Sequence, residues 1–320
     1  MLSEQGRILS RISRKNIVGG RRLKTAGIFP GQGSEFPGMA EQLKEYPVTG
    51  EIFSVISKIA GSDILKLALE GPEEALREPL AAQLSVFGTS ACYWHLLRER
   101  IVFQGLAGYS LGFYSALYAA SSISLEDCVR IIIKANKAIL DITEGTEGLM
   151  AAIIGLRISE IEDICKAAGN VFVSNISSAT QIVVSGMRDD VRKACQKALA
   201  AGALHCRELP IPFPLHTPLM TGIGERLEPF VKSIEIKPPA IPVISHIDSR
   251  ILKLEDIAEV ICGQLTRKVA WKDTVIFFAG AGTTRFLEIG PSDVLSKLVR
   301  WIVRDAESVH AGEVLDCQTV

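Results

Sequence analysis

Short apolar runs recur along this chain, separated by stretches with a helical period. Residues 26–29 form one such run and end in the turn Pro30-Gly31-Gln32-Gly33-Ser34. An amphipathic stretch around residues 51–60 and a long apolar run over 81–97, with Gln83 near its start, read as helices. Residues 105–108 read as a short strand leading into Tyr109-Ser110-Leu111-Gly112, and the small, apolar residues 113–120 as a buried helix. Strands alternating with helices predict an α/β fold with a largely parallel sheet.

The rhythm changes between residues 148 and 206. Strand patterns at 149–156, 171–174 and 181–185 alternate with helical patterns at 159–168 and 189–201, and a last strand at 207–210 returns the chain. This β-α-β-β-α-β series is the ferredoxin-like pattern and predicts a small inserted subdomain. Further on, residues 241–245 and 286–289 read as strands, the second ended by Gly290-Pro291 and followed by a helix over 294–303. The predicted organisation is an extension (1–24), a core (25–147 and 207–305), the small subdomain (148–206) and a tail (306–320).

Composition narrows the function classes. At 320 residues with 48% hydrophobic and 22% charged positions, the chain has enough apolar material for a sizeable core. A net charge of -1 argues against broad electrostatic binding to nucleic acid. No apolar run approaches the ~20 residues of a membrane-spanning helix. The seven cysteines, Cys92, Cys128, Cys165, Cys195, Cys206, Cys262 and Cys317, are scattered and never spaced as CxxC. They predict reduced thiols in a cytoplasmic protein, neither a disulfide framework nor a metal site. The first 24 residues are different, with seven bases and the single acid Glu4. They read either as an extension before the first strand or as an organellar targeting segment.

Gly108-Tyr109-Ser110-Leu111-Gly112 is a GxSxG, the spacing of a nucleophile elbow. Glycines flank the serine because a Cβ there would strike neighbouring backbone, and the hydroxyl is held at a helix N-terminus near N–H donors. The pentapeptide alone is weak evidence, but the strand before it and the helix after it supply the right context. Its serine needs a base. Among His95, His205, His216, His246 and His310, only His216 ends a stiff run, Pro210-Ile211-Pro212-Phe213-Pro214-Leu215, that would hold one side chain in place. The loop Gly31-Gln32-Gly33-Ser34 lacks the spacing of a phosphate cradle.

Together these segments resemble the malonyl-CoA:acyl carrier protein transacylase family of fatty acid and polyketide synthesis. Phe29-Pro30-Gly31-Gln32-Gly33-Ser34 matches its opening FPGQGS, and the Ser110 pentapeptide stands at its GHSxG. Residues 151–155 (AAIIG), Asn175, residues 181–186 (QIVVSG) and Glu288-Ile289-Gly290-Pro291 match in order, so the likeness spans roughly 25–305. The resemblance implies an α/β-hydrolase-like large subdomain with the ferredoxin-like insert. It implies a Ser110 acyl-enzyme with His216 as base, and ping-pong transfer from an acyl-CoA to the phosphopantetheine thiol of an acyl carrier protein. It places the oxyanion hole at the N–H groups of Gln32 and Leu111, and the carbonyl orienting His216 at Gln264. No cofactor or metal is implied, since the acyl-CoA is substrate.

Departures from the family pattern concern the acyl group. Where malonyl-transferring members carry an arginine-glycine pair, Ala135-Asn136 stands, and Lys134, Lys137 and Arg130 lie at other helical positions. Tyr109 and Phe113 replace the usual His and Glu, and Leu215 precedes His216. With Ala135 and Asn175 they outline a pocket more apolar than malonate would suit, which predicts an uncarboxylated acyl substrate. Three rival outcomes remain on the same residues: the ordinary malonyl transferase, an editing hydrolase that passes the acyl group to water, and a non-catalytic carrier-binding homologue. A general α/β-hydrolase esterase with Ser110, Asp293 and His310 is the reading outside the family. Arg192-Lys193 and Arg267-Lys268 are candidate contacts for an acidic carrier protein.

Overall fold

The computed structural model describes residues 24–316 together with the backbone of two-residue strands at Ile17–Val18 and Arg21–Arg22. Those two strands pair antiparallel. The rest of the basic extension and residues 317–320 lie outside the described residues, so the targeting question does too. The chain divides into two compact units, one of residues 1–133, 235–254 and 273–320, the other of residues 134–234 and 255–272.

The first unit is built on a parallel sheet. Strands β1 (Thr25–Phe29) and β2 (Phe103–Gly108) are buried along their whole length, as strands covered on both faces must be. With β7 (Arg285–Glu288) and β8 (Glu307–His310) they stand in the order β8-β7-β1-β2, every pair parallel. Residues 241–245 do not form the predicted strand. Val243 makes a single parallel bridge beside β2, with Leu106 N–H donating to the Pro242 carbonyl at 2.8 Å. Ile244 N–H donates to Leu106 O at 2.8 Å, but the next N–H, that of Ser245, turns to Arg250 O at 2.8 Å, so the ladder stops there, and Pro242 has no N–H to extend it backwards. The predicted tail is also corrected: residues 307–310 are the edge strand β8, and residues 311–316 the short helix α13 (Ala311–Asp316).

Helices α1 (Pro47–Ala60), α2 (Ile64–Glu70), α3 (Glu73–Leu76), α4 (Pro79–Leu97) and α5 (Gly112–Ala119) accompany this sheet. Proline begins both α1 and α4, where its missing N–H is not needed. Nearly every residue of α4 from Ala82 to Trp94 is buried, which explains an apolar run with no polar face. Phe29, Phe53, Phe87, Phe113, Phe278 and Phe286 fill the core. Helix α6 (Leu125–Ile142) follows α5, and its Cys128 thiol lies against the Tyr114 carbonyl. Helix α12 (Val294–Ile302) turns Leu295, Leu298 and Val299 inward.

The second unit contains the antiparallel sheet of β3 (Gly148–Ile154), β4 (Val171–Ile176), β5 (Gln181–Met187) and β6 (His205–Leu209), in the order β4-β5-β3-β6. Counted along the chain this is the second, third, first and fourth strand, the ferredoxin-like order. Helices α7 (Ile158–Ala168) and α8 (Arg188–Ala200) cover it, and Ile153, Ile161, Ile182, Val184, Val191 and Ala194 pack between them. The unit is wider than residues 148–206. It also holds residues 134–147, helices α9 (Ile223–Val231) and α10 (Leu254–Gly263, save its first residue), and the segment through Lys272. Helix α11 (Trp271–Gly280) follows.

One cysteine expectation fails. Cys195 on α8 and Cys206 on β6 are joined as a disulfide, their Cα atoms 5.7 Å apart. The two elements pack on each other in the fold, a proximity that a sequence separation of 11 does not announce. Cys92, Cys128, Cys165 and Cys262 are free thiols. Among the described residues, no helix is long and apolar enough to cross a membrane.

Candidate active site

Ser110 sits between β2 and α5 with φ +52°, a left-handed conformation that costs a residue bearing a Cβ energy the surroundings must supply. The surroundings explain how it is held. A Cβ on Gly108 would come 1.9 Å from the Gly112 carbonyl carbon, and one on Gly112 would come 2.1 Å from the Phe29 carbonyl oxygen. Only glycine fits at either flank. Tyr109 N–H donates to Phe29 O at 2.9 Å, and Gly112 N–H to Tyr109 O at 3.0 Å. The result is a strained strand-to-helix turn that carries the hydroxyl at the start of α5.

The turn after β1 lies against this elbow. A Cβ on Gly31 would meet the Tyr109 carbonyl oxygen at 2.6 Å. Ser34 Oγ donates to Gly31 O at 2.7 Å, and Gln83 Nε2 donates to Gln32 Oε1 at 3.1 Å, so both ends of the turn are tied. Among the described residues, the backbone N–H groups of Gln32 and Leu111 donate to no protein acceptor. Two unspent donors beside a nucleophile elbow are what an oxyanion site requires. Tyr109 is half-buried, whereas Phe113 is fully buried with its ring centroid 5.1 Å from that of His246.

His216 is built in the second unit. The proline run before it packs back on β3, where a Cβ on Gly148 would stand 2.5 Å from Pro214 Cδ. His216 itself has φ +61°, and its N–H donates to Leu265 O at 2.7 Å. Thr217 Oγ donates to Pro214 O at 2.6 Å. The ring's Nδ1 lies 2.9 Å from Gln264 O and 3.2 Å from Arg267 O. Carbonyl oxygens only accept, so Nδ1 carries the hydrogen and, in the neutral ring, Nε2 carries the lone pair. His216 is 2% exposed, and burial holds its pKa below the ordinary 6.5 against the opposing pull of the two carbonyls. The carbonyls belong to the 3₁₀ turn Gln264–Thr266 and the residue after it. Val269 zips this segment to β4, with Val269 N–H donating to Ser174 O and Ile176 N–H to Val269 O, each at 2.8 Å.

The same unit buries Leu215, Ala135 and Asn175, and Asn175 Oδ1 accepts from Ser174 Oγ at 2.7 Å. Thus the first unit gathers Ser110, Gln32, Leu111, Tyr109 and Phe113, and the second gathers His216, Gln264, Leu215, Ala135 and Asn175.

The esterase reading built on Asp293 and His310 meets a specific obstacle. His310 Nε2 is 2.6 Å from Gly290 O, so it carries the hydrogen, and Nδ1 accepts from Gly312 N–H at 3.1 Å. Both ring nitrogens are committed, and Asp293 is paired with Lys297 at 2.9 Å. No lone pair is left to act as a base.

A model of the acyl transferase domain matches residues 27–315. The chain belongs to the acyl transferase domain family. This acyltransferase is 34% identical over 293 residues to the malonyl CoA-acyl carrier protein transacylase of Salmonella typhimurium, covering 87% of this chain and 92% of that one. Among solved structures it is similar to the corresponding transacylase of Coxiella burnetii, with a TM-score of 0.87, 31% identity, and 91% and 94% of the two chains covered. A malonyl-transacylase in complex with its type II polyketide synthase acyl-carrier protein aligns with a TM-score of 0.88 and 30% identity, over 93% of this chain and all of that one.

The cations of the Ala135 helix lie on its exposed side. Ala135 and Asn136 are buried, while Lys134 and Lys137 are exposed. Lys134 places its ammonium 4.9 Å from the centroid of the Phe230 ring. Arg130 is exposed and paired with Asp127 at 3.0 Å. The two candidate basic patches are also internally paired. Arg192 binds Glu208 at 2.9 Å and Lys193 binds Asp190 at 2.9 Å, while Arg267 and Lys268 stand 3.5 and 3.9 Å from Glu259 and Glu162. They are solvated ion pairs of modest value, not open cationic surfaces. Sequence reasoning missed Arg267 as a second carbonyl on His216, because a main-chain contact leaves no mark on residue type. Gln83 was visible as a polar residue near the start of a mostly apolar helix, but its partner was not.

Proposed function

We propose that this acyltransferase moves an acyl group from a CoA thioester to the phosphopantetheine thiol of an acyl carrier protein, and that it favours uncarboxylated acyl groups over malonyl. Ser110 Oγ attacks the thioester carbonyl while its proton passes to His216 Nε2. The carbonyl oxygen, now negative, takes hydrogen bonds from the Gln32 and Leu111 N–H groups. Collapse of this intermediate breaks the C–S bond, and His216 returns the proton to the departing CoA sulfur. The acyl-enzyme ester then meets the carrier thiol, which repeats the steps in reverse with His216 taking the thiol proton.

The observation that carries the transfer chemistry is the fixed tautomer of His216, with Nδ1–H held by Gln264 O at 2.9 Å. A base whose lone pair is set by backbone carbonyls needs no carboxylate partner. The preference among acyl groups rests on the Ala135 position. A carboxylate brought to a buried helix face with no guanidinium would keep its desolvation cost of several kcal/mol. The experiment is intact-protein mass spectrometry after mixing with malonyl-, acetyl- and hexanoyl-CoA, followed by holo carrier protein. The reading requires Ser110 adducts from the last two thioesters that move to the carrier. Adducts lost as free acid would make the protein an editing hydrolase.

A further inference from the structure

The Gln32 N–H belongs to the peptide between Gly31 and Gln32, and the carbonyl oxygen of that same peptide is Gly31 O. Ser34 Oγ donates to Gly31 O at 2.7 Å, and Ser34 is buried. Among the described residues no second donor reaches Gly31 O, and the Gln32 N–H on the opposite edge of the plane has no protein acceptor. Gly33, with φ +95°, turns the chain back so that the hydroxyl three residues on can reach that carbonyl. Gln83 Nε2 on Gln32 Oε1 ties the Gln32 side chain and leaves the peptide plane to Ser34. Gly31 has no Cβ, since one would meet the Tyr109 carbonyl oxygen at 2.6 Å, so its own backbone does little to restrict rotation of the plane.

We propose that Ser34 is a positioning residue of the oxyanion site: its buried hydroxyl holds the Gly31 carbonyl and thereby aims the Gln32 N–H, the other edge of the same rigid peptide, at the acyl oxygen. The inference rests on the reading of Ser110 as nucleophile and Gln32 as oxyanion donor. A trans peptide is planar, and its C=O and N–H point in opposite directions. One hydrogen bond on the oxygen therefore sets the direction of the N–H as well. Without it the plane can turn about the line joining the Gly31 and Gln32 Cα atoms, and the N–H spends part of its time aimed away. A donor that must be re-aimed in each turnover contributes less than one already in place. In this role the hydroxyl acts through the peptide and not on the thioester itself.

The test uses the full chain, with whichever of malonyl-, acetyl- and hexanoyl-CoA loads Ser110 fastest, its thioester carbonyl labelled with carbon-13. Ser34→Ala should lower the acylation rate at saturating thioester by about 10- to 100-fold, less than the loss of a donor outright. The half-saturating concentration should change less than about twofold, because uniform binding is untouched. Ser34→Thr keeps the hydroxyl and should acylate much faster than Ser34→Ala. The infrared carbonyl stretch of the acyl-enzyme ester reads the donors directly, since each hydrogen bond lowers it. Relative to the urea-unfolded acyl-enzyme it should lie lower in wild type and Ser34→Thr, and return part-way in Ser34→Ala. Ser34→Cys, a weaker donor, should be slower than wild type with its band displaced the same way, and keeps the test decisive if either other variant does not fold. A wild-type rate in Ser34→Ala or Ser34→Cys, a slowed variant whose band has not moved, a folded Ser34→Thr no faster than Ser34→Ala, or a change confined to half-saturation would overturn the proposal. An adduct formed in Ser110→Ala would show that the acyl-enzyme reading itself is wrong, and a wild-type band equal to that of the unfolded acyl-enzyme would do the same for the oxyanion reading. If both readings stand while Ser34→Ala keeps the wild-type band, only the role of Ser34 falls.

Discussion

The Gln264 carbonyl accepts the Nδ1–H of His216 at 2.9 Å, and so a main-chain atom decides which nitrogen of the ring is basic. The contact predicts an asymmetry between the two side chains. His216→Ala removes the base and should lower kcat by about 10²- to 10⁴-fold. Gln264→Ala keeps the carbonyl, and its buried Oε1 has no hydrogen-bond partner to lose, so kcat should stay within about tenfold of wild type. Steady-state transfer assays on the two variants check this. Equal losses would show that the glutamine side chain, not its carbonyl, orients the ring.

The acid limb of the activity profile follows from the burial of His216. Its folded-state pKa lies below the ordinary 6.5, so the neutral, basic form persists to lower pH than in a free histidine. Transfer should therefore lose half its rate at a pH below 6.5. The linked stability has the same sign. The unfolded chain takes up the proton first, so stability is full above about pH 6.5 and falls as pH drops toward the folded value. A kcat/KM profile between pH 5 and 8 tests it, and an inflection above 6.5 would contradict it.

Restoring the guanidinium is a direct test of acyl preference. Ala135→Arg should raise the rate with malonyl-CoA relative to acetyl-CoA by about tenfold or more, the scale of a charge-assisted bidentate pair at ~1.4 kcal/mol per tenfold. Competition between the two thioesters, read as the ratio of Ser110 adducts, measures it. An unchanged ratio in a folded variant would mean that position 135 does not meet the acyl group.

His310 separates the transacylase chemistry from the esterase one. Because both its nitrogens are spent on Gly290 and Gly312, His310→Ala should leave kcat within about threefold of wild type. It should still cost roughly 1–3 kcal/mol of stability by leaving those backbone groups unpaired. Thermal unfolding alongside the transfer assay shows whether the loss is structural. A kcat loss of several orders of magnitude at unchanged stability would reinstate the esterase triad.

Strands and helices with a continuous buried face were legible in the sequence, because burial writes an apolar run. Residues 103–108, 285–288 and the whole ferredoxin-like series lie within a few positions of their predicted bounds. The apolar run around Val243 looks like a strand but makes a single bridge, because Pro242 has no N–H and Ser245 N–H turns to Arg250 O. The edge strand Glu307–His310 was hidden for the opposite reason, since an edge strand can be polar on its open side. In the site, Ser110 and its glycines were legible because backbone crowding restricts residue type. Contacts made by main-chain atoms, such as Arg267 O on His216, were not, because they constrain conformation and leave composition untouched.

An acyl-enzyme at Ser110 that favours uncarboxylated groups and discharges to a carrier thiol can be seen by its mass. The intact protein is weighed after malonyl-, acetyl- and hexanoyl-CoA are offered in equal amounts, before and after addition of holo carrier protein. Acetyl and hexanoyl adducts should both form, vanish from the enzyme and reappear on the carrier, and none should form in Ser110→Ala. A dominant malonyl adduct transferred to the carrier would contradict the acyl preference, and adducts persisting in Ser110→Ala would contradict the mechanism.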